Sequence, residues 1–275
     1  MSTLNKENKA GRNREHEKML TALLGLDGRP VAVRFIKTEE EYKALDLHEP
    51  KTGLPYCTAV SMARKGKSFK LDAKHNRCGA SSIAFGMIPL NEYRSSGKMH
   101  ADLKVYDSVE VSRQVAEDMV YCGEKNYGVA VEPLGESDSE PDIIIIIGKP
   151  KQAMRILQGY AYHNGQLKNI KMAGMCAICQ ECTSYPFVKD QINISMLCSG
   201  TRCVGSWAED EMGIGIPGSL AESLTDGILN TVDPMENRAS KLQIEDRMKK
   251  AGLNTPEFDL KNNYYSHAYG IPKQE

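Results

Sequence analysis

The chain has 275 residues, 35 of them basic and 36 acidic, with a pI near 6.6. That balance leaves no global field to favour nucleic acid or an anionic membrane surface, and the length suffices to bury a core without disulfides or a structural metal. The longest apolar run, residues 143–147, falls far short of the roughly 20 residues that span a bilayer, which excludes membrane insertion.

A charged arm over about residues 1–25 is expected to be helical and to end in the leucines of 20–24. Its polar start holds no stretch that could act as a signal peptide, which predicts a cytoplasmic protein. The Asp27-Gly28 turn leads to residues 30–36, whose β-branched and aromatic content reads as a strand. Thr38 with Glu41 three residues on has the form of a capping box opening a short helix. Residues 55–63 are apolar enough to be buried around Cys57, and 68–71 read as a short strand. The small residues after Cys78 place it at a loop-to-helix junction, where free amides stabilise a thiolate. Ser108 is expected to cap a helix running to about Met119, with Cys122 just past its end and another strand at 128–134.

Residues 141–148 carry five consecutive isoleucines, the pattern of a strand covered on both faces, and 150–162 can form the helix after it. This β-α unit favours an α/β fold, a layered sheet with flanking helices and a cysteine-rich metal site built from loops. Strands at 168–172 and 191–197 would deliver Cys176 and Cys198 to their turns. Asp233-Pro234-Met235-Glu236 has the form of an N-cap, a first-position proline and a capping acid, opening a polar helix to about Lys250. The aromatic tail, 263–270, is expected to pack on the body or on a partner subunit, so a homodimer is one arrangement. With no internal repeat or low-complexity linker, 1–275 reads as one domain, its cysteine-rich part at about 170–210.

The sequence Cys176-Ala-Ile-Cys179-Gln-Glu-Cys182 puts three thiols within seven residues, and Cys198 and Cys203 follow. Eight cysteines in a cytosolic chain are not expected to form a disulfide framework, which leaves thiolates for metal. Iron-sulfur clusters take such ligands, and residues three apart can aim several sulfurs at one centre. Zinc is the rival, but the second C-x-x-C pair or paired histidines of a zinc ribbon are missing, and His163 and His267 have no regular partner. A redox dithiol is a third reading. Isolated cysteines such as Cys57, Cys78 and Cys122 are commonly inert, yet the triplet lacks a fourth ligand, which favours recruiting Cys57 and Cys78. Arg77, beside Cys78, and Arg202, between Cys198 and Cys203, could hydrogen-bond cluster sulfurs, hold an anionic substrate, or form surface salt bridges. Gly213-Ile-Gly215-Ile-Pro217-Gly218 matches a dinucleotide-binding string, but no buried strand is expected before it, and Pro217 removes an amide where pyrophosphate would need one.

Pro55-Tyr-Cys57-Thr-Ala-Val, Cys78-Gly-Ala, the stretch from Pro141 to Met154 and Cys198-Ser-Gly-Thr-Arg202 together resemble the "domain of unknown function 169" family, also called ArCR. The resemblance covers roughly residues 29–224 and carries no settled activity. It implies that Cys57, Cys78, Cys179 and Cys198 are the family's recurrent cysteines, one four-thiolate set, with Cys122, Cys176, Cys182 and Cys203 as additions. The expected cofactor is one or two 4Fe-4S clusters, or a larger fused cluster.

The expected function is that of a cytoplasmic iron-sulfur protein: a reductase, an electron carrier or a cluster-based catalyst on a small molecule. Its partner would be a redox protein or a small-molecule substrate, not nucleic acid or membrane. Exposed clusters oxidise readily, which suits an anaerobic host. The alternatives are a zinc-stabilised binding or assembly module and a carrier that hands a cluster to an anaerobic enzyme.

Overall fold

A computed structural model describes residues 3–123, 125–264 and 268–269. Helix α1 (Thr3–Leu24) leads to strand β1 (Val31–Ile36) and helix α2 (Glu39–Ala44). Helix α3 (Tyr56–Ala63), strand β2 (Phe69–Asp72) and helix α4 (Gly79–Ala84) follow. Three short helices, α5 (Glu92–Ser95), α6 (Lys98–Asp102) and α7 (Val109–Asp118), precede strands β3 (Gly128–Pro133) and β4 (Ile143–Gly148). Helix α8 (Pro150–Asn164) is followed by a π-helix (Ala177–Ser184), α9 (Tyr185–Lys189), strand β5 (Asn193–Ser195), α10 (Ser199–Gly205) and strand β6 (Met212–Pro217). Helices α11 (Ala221–Asn230), α12 (Val232–Met235) and α13 (Arg238–Lys250) complete the order.

The six strands form one sheet in the order β2-β3-β1-β4-β6-β5, antiparallel at every pairing. The fold is therefore mixed α/β, and the β4-α8 unit predicted from the isoleucine run is present. The chain does not repeat that unit into a parallel crossover, because β4 is flanked by antiparallel β1 and β6. Every residue of β4 is buried, as a strand covered on both faces requires. Its side chains alternate: Ile143, Ile145 and Ile147 join one apolar cluster with Val31, Val33 and Phe35, whereas Ile144 and Ile146 join a second with Leu20, Ile156, Leu224 and Ile244. Each such side chain contributes about 1.5–3 kcal/mol on leaving water.

Several elements depart from expectation. Residues 168–172 form no strand; the Asn193 side-chain amide instead bonds both the Lys171 amide (3.1 Å) and its carbonyl (2.9 Å), so one side chain replaces strand pairing along this edge. The polar helix near the C-terminal end starts at Arg238, capped by Asn237, whose side chain accepts from the Ser240 amide at 2.9 Å. Asp233 and Glu236 are occupied elsewhere, pairing with buried Lys241 (3.1 Å) and buried Arg155 (3.2 Å). Thr38 caps α2 as predicted, while the Glu41 carboxylate takes the Lys37 amide and Arg34. In the aromatic tail, residues 265–267 and 270, including His267, lie outside the described residues. Among the described residues no helix is long and apolar enough to cross a membrane.

Candidate metal centre

The cysteine triplet lies on a π-helix rather than a turn, entered through Cys176 in the left-handed region (φ 52°). This helix packs flat against β6, and the glycines of that strand explain why. A Cβ on Gly215 would stand 2.2 Å from the Cys182 carbonyl oxygen, and one on Gly213 would stand 2.8 Å from Cys182 Sγ. The Gly-x-Gly string is thus the seat of the cysteine helix, where only bare backbone leaves room. The helix is held by the buried Glu181 carboxylate, which accepts from Ala173 N (2.7 Å), Gly174 N (3.1 Å) and the Ser195 hydroxyl. Thr183 adds a hydroxyl bond to the Ile178 carbonyl (2.6 Å) and a contact with Tyr56 Oη (3.0 Å), tying the π-helix to α3.

Three further thiols sit at helix starts. Cys57 occupies the first turn of α3, and Cys78 and Cys198 are the N-caps of α4 and α10. Asn76 fixes Cys78 by accepting from its amide (3.2 Å) and bonding Ser81. α3 and α10 are joined by Ser61 Oγ donating to the Gly205 carbonyl (2.7 Å) and Thr58 Oγ1 to that of Val204 (3.1 Å).

Four thiols from four segments share one basin. Burial, then the charges of Cys78 and Cys198, push the Cys57 thiol up to about 11. Cys179 is pushed up by its hydrogen bond to Cys176, by burial, and by the charges of Cys176, Cys78 and Cys198. Mutual effects of this kind require close approach. Donors converge on the same sulfurs: Cys198 Sγ meets Thr201 N at 3.4 Å and Thr201 Oγ1 at 3.1 Å, while Thr58 N and the Thr201 hydroxyl favour the Cys57 thiolate. Among the described residues, no group of three or more His, Cys, Asp or Glu side chains stands close enough to hold a single metal ion.

The other cysteines differ in burial. Cys182 is fully buried against β6, where burial, then Glu181 and the charge of Cys198, push its thiol up. Cys122 lies in the core, its amide bonded to the Ala84 carbonyl, and Cys203 is exposed on α10. Cys176 differs from its neighbours: the bond from Cys179, assisted by Arg94, lowers its pKa.

The two arginines singled out from sequence have contacts of their own. The Arg202 guanidinium donates to the carbonyls of Ala208, Met196 and Glu211, closing the loop after α10. Arg77 is exposed, its stem against the Gly53 turn. The cation that faces the basin is Arg94, on α5, whose Nη2 lies 3.6 Å from where a Cβ on Gly79 would stand, beside Cys78. No spacing signal marks Arg94 in the sequence, because α5 to α7 reach the basin only through tertiary packing. His163, the other residue weighed as a zinc ligand, pairs with Asp226 at 2.8 Å on the surface.

A sequence profile described as uncharacterised ArCR, DUF169, matches residues 19–227. A protein of Methanocaldococcus jannaschii named "Uncharacterized protein MJ0308" is 27% identical over 222 residues, covering 78% of this chain and 93% of its own. No solved structure matches the chain. A match over three quarters of the sequence, including Cys57, Cys78, Cys179 and Cys198, is decisive: the chain belongs to the DUF169, or ArCR, family.

Proposed function

We propose that this protein binds an iron-sulfur cluster through Cys57, Cys78, Cys179 and Cys198 and acts in electron transfer or in reduction of a small molecule. The observation that carries this reading is the convergence of four thiols, from segments as far apart as α3 and α10, on one basin. In a cubane each thiolate binds its own iron, so the sulfurs stand farther apart than around one ion. A zinc ion, with sulfurs at about 2.3 Å from it, would draw them closer together than a cubane does. The donor set also fits: thiolates with amides and a hydroxyl aimed at them are what such a cluster's terminal ligands need.

When bound, the cluster supplies one-electron chemistry at a potential set by hydrogen bonding and burial. The chain's own part is to position the ligands and to shield them. Thr201 orders Cys198 and Cys57, and Tyr56 and Phe85, both buried with rings 4.7 Å apart, wall the basin from the sheet side. All eight cysteines are free, as a reducing compartment such as the cytoplasm would leave them.

Anaerobic purification followed by iron, acid-labile sulfide and zinc analysis tests this. The expected result is about four iron and four sulfide per chain, abolished by serine at Cys57, Cys78, Cys179 or Cys198 and retained in Cys203→Ser. Stoichiometric zinc without sulfide overturns it.

A further inference from the structure

Beside the thiol basin lies a small cavity of about 10 Å³, lined by Arg94, His100, Tyr121, Cys176, Gln180 and Met119 among others. It has room for about one water-sized group. Two features mark it as a place for something else. The Arg94 guanidinium makes no hydrogen bond or ion pair among the described residues, although the side chain is half-buried. His100 is 5% exposed and its Nδ1 is buried with no hydrogen-bond partner; Tyr106, edge-on to it at 6.0 Å, has an orphaned buried hydroxyl as well. Buried polar atoms without partners are rare in folded proteins, and His100 Nδ1, lining this space beside an unpaired guanidinium, calls for a ligand.

The chemistry of the lining narrows that ligand. Arg94 is the cavity's single cation, and no carboxylate lines it. Burial and the neighbouring Arg94 lower the pKa of His100, so the imidazole is neutral and adds a hydrogen-bonding nitrogen without charge. One guanidinium, which also favours ionisation of the Cys176 thiol in the lining, suits at most a monoanion; a dianion would leave a charge uncompensated in a space of this size. Met119 and Gln180 also form the wall of a second cavity of about 160 Å³, whose other sides include Val115, Met172, Met175 and Tyr185, with the Lys171–Asp118 ion pair and the hydrogen-bonded Glu181 at its edge. Its lining is largely apolar, and its methionines can repack around varied shapes.

We propose that Arg94 and His100 hold one carboxylate oxygen of a small organic acid whose remaining carboxylate atoms and short apolar body lie towards the adjoining methionine-bearing cavity. Its use as the substrate of the redox centre rests on the cluster reading above; the binding site does not. Arg94 serves here as a binding residue next to the Cys176 and Cys78 side of the basin, which would place the acid's functional carbons near the proposed cluster ligands.

Calorimetric titration of the full anaerobically purified chain with formate, acetate, propionate, butyrate and inorganic phosphate tests this, with iron and sulfide measured on the same samples. Affinity is expected to rise about fourfold per added methylene from acetate to butyrate, with phosphate binding at least about tenfold more weakly than butyrate. Arg94→Gln should lower butyrate affinity by about tenfold or more, and Arg94→Lys should recover part of it, both with wild-type iron content and melting temperature. Equal binding of phosphate, a flat series, or butyrate binding untouched by Arg94→Gln overturns the proposal. Binding that depends on Arg94 in a protein lacking iron keeps this site and removes the cluster; iron without such binding does the reverse.

Discussion

The two faces of the sheet are closed in different ways. On one, long helices α1, α8, α11 and α13 lay aliphatic side chains against Ile144, Ile146, Ile214 and Ile216. On the other, the same strand β6 presents Gly213 and Gly215, and the π-helix meets it backbone to backbone. Left-handed backbone is handled differently as well. On the aliphatic side it falls at Gly25, Gly165 and Gly252, each just past a helix end where glycine costs nothing sterically. Around the thiols Gly86 and Gly174 adopt it too, but so do Cys176, Leu197 and Ser206, for which that conformation costs on the order of 1–2 kcal/mol, and each of these three sits in or beside a cysteine-bearing segment; Lys104, Asn169 and Asp190 adopt it elsewhere. Ordinary packing builds one face; the other accepts strain to aim particular side chains, as functional sites do.

The sharpest way to break this contrast is to exchange the roles of neighbouring residues on β6. Gly215→Ala pushes a methyl into the Cys182 backbone, and overpacking of that kind costs about 3 kcal/mol or more. Iron should be lost with it, because Cys179 rides on the displaced helix. Ile214→Ala faces the aliphatic side and should cost a similar amount, about 3 kcal/mol, with iron per folded chain unchanged. Urea unfolding and iron analysis on both variants read the difference, and equal iron loss in the two would mean that the faces are not independent.

A second difference lies in the response to alkali. In the metal-free protein Cys57 titrates near 11 against an ordinary value of 9, pushed up by burial and by Cys78 and Cys198. The folded state then holds the proton more tightly than the unfolded one. The resulting stability is fully present below pH 9 and is lost as pH rises through about 11; two units correspond to about 2.7 kcal/mol. Subtracting the profile of Cys57→Ser removes the contribution of lysines and tyrosines. The wild-type excess over Cys57→Ser should fall across that window in the metal-free chain. No such excess in the metal-free chain would mean that Cys57 is not buried among thiols.

How much of each face could be read from sequence follows the same division. The isoleucine run of β4, the leucines closing α1 and the capping residues Thr38 and Ser108 act locally, through periodicity or one hydrogen bond, and the structure contains them as read. Cys78 was placed at a helix start for the same reason. The thiol face was less legible because its elements are made by tertiary contact. The π-helix depends on Glu181 reaching Ala173, Gly174 and Ser195, and the 168–172 segment depends on the Asn193 side chain; neither leaves a period. Gly213-x-Gly215 was visible as a string, but its meaning lay in Cys182, some thirty residues earlier. Arg202 looked like a site residue by adjacency and spends its guanidinium on three loop carbonyls, whereas Arg94, remote in sequence, faces the basin.

The strain itself can be measured at Ser206. This residue is exposed, caps the end of α10 at φ 54° and ψ 51°, and its hydroxyl makes no hydrogen bond among the described residues. Ser206→Gly removes a left-handed penalty of about 1 kcal/mol and gives back roughly half of it through the freer unfolded chain. A net gain of about 0.5 kcal/mol is expected in urea unfolding, with iron content unchanged. Leu197 offers the control, since it is left-handed as well but only 5% exposed. Leu197→Gly should lose about 2 kcal/mol as the buried side chain outweighs the relieved backbone. A destabilised Ser206→Gly would show that the conformation at α10 carries no strain, and the thiol face would then differ from the aliphatic one in composition alone.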